Sequence, residues 1–156
     1  MANPKLEVGA KVPRFELEAS DGAKVSSDDL LGRKYVLYFY PKDDTPGCTS
    51  EACDFRDNVA RLGELGYEVY GVSPDSVKSH DKFRDKYELN FPLLADPDHA
   101  AAEAFGVWRE KKNYGKTYTG LVRSTFLVGE DGTLEQIYDN VRAKGHVERV
   151  LRDLQA

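Results

Sequence analysis

The chain has 156 residues, of which 40% are hydrophobic and 31% charged, and carries a formal net charge of −5 at pH 7. These figures fit one globular domain with enough core to fold without disulfide staples. They exclude nucleic acid as a main partner, because phosphate binding needs an excess of Lys and Arg on one face. Met1 to Arg14 lacks the apolar core and cleavage pattern of a signal peptide, and no run of about 18 apolar residues occurs. A cytoplasmic protein with no membrane span is therefore expected, and its two cysteines are not expected to form a permanent staple there.

In chain order, Phe15-Glu16-Leu17 alternates, Asp21-Gly22 signals a turn, and Lys24-Val25-Ser26 reads as the return strand of a hairpin. Ser27 to Gly32 reads as a short helical turn ended by glycine. Tyr35 to Tyr40 is an almost unbroken apolar run, as expected of a strand buried on both faces. From Cys48 onward, Ala52, Phe55, Val59 and Leu62 define one face of a helix that leaves at Gly63 and Gly66. Tyr67 to Ser73 reads as a strand, Pro74-Asp75-Ser76 opens a helix through about Tyr87, and Phe91 to Ala95 is a short strand. Asp96-Pro97-Asp98 caps a short helix ending near Phe105-Gly106, and Trp108 to Gly120 reads as a polar, basic loop. Ser124–Val128 and Leu134–Tyr138 flank Gly129-Glu130-Asp131-Gly132 as a second hairpin. A closing helix over His146 to Leu154 carries Val147, Val150, Leu151 and Leu154 on one face. The alternation predicts an α/β architecture with a mixed sheet, and no internal repeat or composition shift marks a second domain.

The chemistry concentrates where the apolar run meets Pro41-Lys42-Asp43-Asp44-Thr45-Pro46-Gly47-Cys48. A cysteine at a helix N-terminus sits against unpaired amides and the positive end of the dipole, and both favour the thiolate. Asp43, Asp44 and Glu51 oppose ionisation if they point inward, so a cation from elsewhere in the chain is required. Cys53 follows five residues later. In an α-helix that spacing separates the Cα atoms by roughly 8–9 Å, beyond the ~7 Å reach of a disulfide. The pair is either reactive, with local unwinding as part of its cycle, or two inert small core residues.

The segment Pro41-x-x-x-Thr45-x-x-Cys48 resembles the active-site motif of peroxiredoxins. The longer string from Tyr38 through Cys53 resembles the bacterioferritin comigratory protein, or peroxiredoxin Q, subfamily. The resemblance implies a single thioredoxin-like domain over residues 1–156: a central mixed β-sheet flanked by helices, with an N-terminal β-hairpin extension. It implies a thiol peroxidase for hydrogen peroxide and organic hydroperoxides, with no metal, haem or flavin cofactor. Cys48 would attack the peroxide and become a sulfenic acid. Cys53 would resolve it as an intramolecular disulfide, and thioredoxin or a similar thiol would reduce that disulfide. Arg123, in Val122-Arg123-Ser124-Thr125-Phe126, matches the family's arginine and supplies the missing cation. Thr45 would hold peroxide oxygens, Pro41 would shield the pocket, and Glu51 is a candidate to orient Arg123. Resolution within one chain makes a monomer the expected state. Two other readings of the thiols stay open at this stage: a general thiol–disulfide oxidoreductase, against which the four-residue spacing argues, and a non-enzymatic redox sensor.

Gly115-Lys116-Thr117 has the tail of a phosphate-binding loop, but its upstream glycine position is Glu110. His80, His99 and His146 lack paired spacing and read as solvated or capping residues rather than metal ligands. Asp43-Asp44 and Asp28-Asp29 read as turn and cap residues, and Arg109-Glu110-Lys111-Lys112 as a solvated loop. Trp108, Tyr114 and Tyr118 read as ordinary packing of that loop, with a pocket approach or docking surface as the alternative.

Overall fold

The computed structural model describes residues 6–155. The signal-peptide reading therefore lies, for residues 1–5, outside the described residues. The centre of the fold is strand β3 (Lys34–Phe39), in which Tyr35, Val36, Leu37, Tyr38 and Phe39 are all buried. Because side chains alternate across a strand, Val36 and Tyr38 enter one apolar cluster while Tyr35, Leu37 and Phe39 enter another. That double burial is why the run reads as continuously apolar rather than alternating.

Helix α1 (Pro46–Glu64) carries the chain from β3 to the parallel strand β4 (Tyr67–Ser73), and α2 (Val77–Tyr87) carries it on to β5 (Leu93–Ala95). Strand β1 (Glu16–Ala19) pairs antiparallel with both β2 (Lys24–Ser26) and β5. The N-terminal hairpin is thus an edge of the main sheet rather than a separate appendage. Strands β8 (Ser124–Val128) and β9 (Leu134–Tyr138) complete the other side, giving the order β2-β1-β5-β4-β3-β8-β9. Helices α1, α2 and α4 (His146–Gln155) bury Phe55, Phe83, Val150 and Leu151 on one face of this mixed sheet. Helix α3 (Ala100–Ala104) and Phe105 pack on the other with Phe15, Phe39 and Phe126. Asp96 caps α3 as expected, its two carboxylate oxygens accepting from the Ala101 and Ala102 amides at 3.0 and 2.9 Å. Among the described residues no helix is long and apolar enough to cross a membrane.

The expected loop over Trp108 to Gly120 is instead an antiparallel ribbon, β6 (Trp108–Asn113) and β7 (Lys116–Leu121), whose strands pair with each other. Both residues of its tip, Tyr114 and Gly115, have positive φ (52° and 77°), as a two-residue primed turn requires. Two features hid it in the sequence. Tyrosine is a rare occupant of that backbone region, and a ribbon largely in solvent has no apolar alternation to display. Trp108 does pack, stacking on His99 with ring centroids 3.7 Å apart, whereas Tyr114 at the tip is 97% exposed.

Candidate active site

The site forms where β3 ends and α1 begins. Thr45 is the N-cap of α1 and Pro46 its first residue, so the helix starts two residues before Cys48. A proline there has no amide to leave unpaired, and Thr49 N already donates to Thr45 O at 2.8 Å. By helix geometry, the Gly47 and Cys48 amides remain as first-turn donors beside the sulfur. The Thr45 side chain does not cap the helix: its hydroxyl donates to the Lys42 carbonyl at 2.9 Å, which closes the loop and leaves its lone pairs free. Pro41 is half-buried and follows β3 by two residues.

Cys48 is 1% exposed, and Arg123 is the cation that reaches it. The arginine occupies the short link between β7 and β8, next to the strand that pairs with β3. Its Nη2 donates to Cys48 Sγ at 3.3 Å and its Nη1 to Glu51 Oε1 at 2.6 Å. Burial works against the Arg123 charge, but the negative charge of Glu51 and Cys48 outweighs it, and the guanidinium is held on more firmly than usual. Gly47 eases the approach, because a Cβ at that position would lie 3.3 Å from Nη2 and push it back by a few tenths of an ångström. The Arg123 carbonyl accepts from Val141 N at 2.9 Å, which fixes the backbone that carries the guanidinium.

Glu51 is fully buried, not the exposed first-turn glutamate that helix-dipole complementarity would produce. Its Oε2 and the Tyr38 hydroxyl are both buried without a hydrogen-bond partner. Burial pushes the Glu51 carboxyl up from 4.5 to about 7, against the pull of Arg123. The group therefore holds its proton more tightly folded than unfolded. Its destabilising contribution is complete above about pH 7 and disappears as pH falls toward 4.5. Glu51→Gln is expected to flatten the change in unfolding free energy across that interval, read from urea midpoints at pH 5 and pH 7.5. An unchanged slope would remove Glu51 as the group responsible.

The two aspartates near the thiol are each engaged by local partners. Asp44 accepts from Lys86 Nζ at 2.8 Å and the Tyr87 hydroxyl at 2.7 Å at the surface. Asp43 is not an exposed turn residue but the hub of a buried network. Its carboxylate accepts from the Tyr40 hydroxyl at 2.6 Å and Ser79 Oγ at 2.8 Å, and lies 2.7 Å from His80 Nδ1. His80, expected to be solvated or capping, is 0% exposed, with Nε2 2.9 Å from the Leu94 carbonyl. A carbonyl only accepts, so Nε2 carries a proton. His146 is likewise buried, its Nε2 2.7 Å from Thr125 Oγ1, and burial pushes it down to about 4. His99 stands at the N-cap position of α3, but its side chain makes no capping bond and stacks on Trp108. The missed signal was spacing: His80 falls on the Val77–Phe83–Tyr87 stripe of α2, the buried face of that helix. His80→Leu strands the Asp43 carboxylate and is expected to cost about 3 kcal/mol in urea unfolding. A loss under about 0.5 kcal/mol would mean the network does not hold the Pro41–Thr45 loop.

Cys53 is half-buried on the second turn of the same continuous helix, and both thiols are free. The structure thus brings Cys48, Arg123 and Glu51 together, places Thr45 and Pro41 in the adjoining loop, and keeps Cys53 apart. Among the described residues no cluster of three or more His, Cys, Asp or Glu is placed to hold a metal.

Residues 8–137 match the model of the AhpC/TSA family. Peroxiredoxin Bcp of Bacillus subtilis is 50% identical over 149 residues, spanning 96% of this chain and 95% of that protein. The bacterioferritin comigratory protein of Xanthomonas campestris, whose structure was solved to study alkyl peroxide reduction, superposes with a TM-score of 0.88 at 41% identity over 96% of each chain. A PrxQ mutant of Xylella fastidiosa superposes with a TM-score of 0.91 at 35% identity over 98% of each chain. With the thioredoxin-like sheet, the helix-borne thiol and full-length likeness in agreement, this chain belongs to the AhpC/TSA family, among the Bcp and PrxQ peroxiredoxins.

Proposed function

We propose that this thiol peroxidase reduces hydrogen peroxide and organic hydroperoxides through a Cys48 sulfenic acid and a Cys48–Cys53 disulfide, with thioredoxin as reductant. The observation that carries the residue assignments is the Arg123 guanidinium, bonded at once to Cys48 Sγ and to Glu51. A positive group so placed favours the thiolate. It also sits where negative charge moves onto the peroxide oxygens during attack.

In the first step the Cys48 sulfur attacks the terminal peroxide oxygen. An S–O bond forms, the O–O bond breaks, and the departing alkoxide or hydroxide takes a proton to leave as alcohol or water. The sulfur has lost two electrons and the peroxide has gained them. The first-turn amides of Gly47 and Cys48, with the free lone pairs of Thr45, are the groups proposed to orient the peroxide. In the second step the Cys53 sulfur attacks the sulfenic sulfur, water departs and the disulfide forms. A dithiol reductant then restores both thiols by exchange. Because Cys48 and Cys53 share one helix, the second step requires the first turns of α1 to unwind. Resolution within one chain needs no second subunit, and we propose that the monomer is active.

The test is stoichiometric. One equivalent of hydrogen peroxide should remove two thiols per chain, with a mass loss of two hydrogens confined to the peptide that joins Cys48 to Cys53. Thioredoxin with its reductase should reverse the change and sustain peroxide consumption. A product linked between chains, or one thiol lost per equivalent in the wild type, would overturn the cycle.

A further inference from the structure

The loop between β3 and α1 is bonded to the neighbouring helix α2 at both of that helix's ends. The Asp43 carboxylate meets Ser79 and His80 in the first turn of α2, and the Asp44 carboxylate meets Lys86 and Tyr87 in the last. Those bonds hold side chains. Asp75 holds the loop backbone: its Oδ2 accepts from the Asp43 amide at 2.7 Å and from Ser73 Oγ at 2.6 Å. The Asp75 amide in turn donates to Ser73 Oγ at 3.2 Å. Ser73 is fully buried at the end of β4, so the carboxylate reaches the loop from the central sheet. Capping of α2 falls to a different residue, Ser76, whose Oγ accepts from Ser79 N at 3.1 Å.

The bond to Asp43 supports the residue after it. Asp44 has φ 57°, in the left-handed region that a side chain with a Cβ enters at a cost. Such a conformation persists where its surroundings over-determine it. Here the amide before it and the carboxylate on it are both tied down. The reversal at Asp44 aims Thr45, whose hydroxyl closes onto the Lys42 carbonyl and whose own carbonyl accepts from Thr49 N as α1 begins. Asp75 thus connects to the Thr45 hydroxyl through the consecutive residues Asp43, Asp44 and Thr45. Arg123, which meets the sulfur from the link between β7 and β8, lies off that path.

We propose that Asp75 is a positioning residue of the peroxidase. By holding the Asp43 amide it fixes the left-handed turn at Asp44 and, through it, the place of the Thr45 oxygen against the incoming peroxide. It touches neither sulfur nor substrate. Its effect falls on selectivity for peroxide: ionisation of the thiol belongs to Arg123 and the helix start, whereas alignment of the O–O bond belongs to the loop. The inference rests on the reading of Cys48 as the attacking thiol and Thr45 as a group that orients the peroxide.

The experiment compares two reactions of Cys48 in full-length protein carrying Cys53→Ser. One is the single-turnover rate with hydrogen peroxide; the other is alkylation by neutral iodoacetamide, which depends on thiol ionisation and needs no alignment by Thr45. Asp75→Ala is expected to slow the peroxide reaction about tenfold while alkylation keeps its rate and the midpoint of its pH profile. Asp75→Asn keeps an oxygen acceptor for the Asp43 amide and should bring the peroxide rate back to within about threefold of the parent. Ser73→Ala removes only the hydroxyl that braces the carboxylate, so it serves as a milder variant should Asp75→Ala not fold; the same split is expected, at about threefold. Circular dichroism shows that each protein is folded. Equal losses in the two reactions would mean that Asp75 only holds the fold together and would overturn the proposal. So would a folded Asp75→Ala protein, or in its place Ser73→Ala, with the parent's peroxide rate. A parent protein that alkylates at Cys48 but ignores hydrogen peroxide would instead defeat the functional reading, so the two failures are separable.

Discussion

Cys48→Ser is expected to reduce peroxide consumption to the uncatalysed background, while Cys53→Ser is expected to permit one turnover and stop. The contrast follows from where the two sulfurs lie. Cys48 is the thiol at the helix start, hydrogen-bonded by a guanidinium, and a serine hydroxyl there neither ionises near neutrality nor matches sulfur as a nucleophile toward oxygen. Cys53 is five residues further on, without a guanidinium bond, and has nothing to do until a sulfenic acid exists. The Cys53→Ser protein should therefore react with its first equivalent of peroxide at nearly the wild-type rate. It should then accumulate a species trapped by dimedone, and over-oxidise when peroxide is in excess. Rapid-quench mass spectrometry distinguishes the two variants directly. Equal first-turnover rates in Cys48→Ser and wild type would sink the assignment of the attacking sulfur.

Arg123→Met should slow the same first step by about 10² to 10³, the range found when a preorganised donor is removed from a site of developing charge. The variant removes the bond to Sγ and the bond to Glu51 together. With the guanidinium gone, the buried Glu51 carboxylate loses its counter-charge and is pushed further toward the protonated form. Removing Glu51 as well should then add little, because the two side chains act as one unit. Rate constants for Arg123→Met, Glu51→Gln and the double variant test this. We expect Glu51→Gln alone to cost less than tenfold and the double variant to match Arg123→Met within about threefold. A fully additive result would mean that Glu51 does not work through the arginine.

The parts of this site legible in sequence were those that strong local signals carry. The apolar run of β3, the proline and glycine before Cys48, and the helical stripe through Phe55 and Leu62 each state their geometry in a few residues. The sequence spacing also separated the two sulfurs, since helix geometry alone keeps residues five apart beyond bonding reach. Arg123 lies 75 residues from Cys48, and only the family resemblance joined them. The errors share a cause. Asp43, His80 and His146 are polar residues that polarity alone assigns to water, yet all three are buried. Their burial is made tolerable by partners such as Ser79 and Thr125 that no local window contains. The β6–β7 ribbon was missed for the opposite reason, since a strand pair mostly in water has no buried face to advertise.

The position of Phe55 has a mechanical consequence. It follows Cys53 by two residues, is wholly buried, stacks on Tyr38 at 4.5 Å, and meets Phe91 and His146 at 6.5 and 6.3 Å. Fraying of α1 can run from Pro46 through Cys53, about two turns, before it meets this clamp. In the proposed cycle Asp54 to Glu64 stay wound behind it, fastened by Phe55 and Leu62 in the core. The length of chain released is thus set by an aromatic post rather than by the disulfide. In the proposed cycle the switch between thiol and disulfide becomes a stroke of fixed travel, which draws Cys48 and Ala52 out of the core and leaves Phe55 and Leu62 in it.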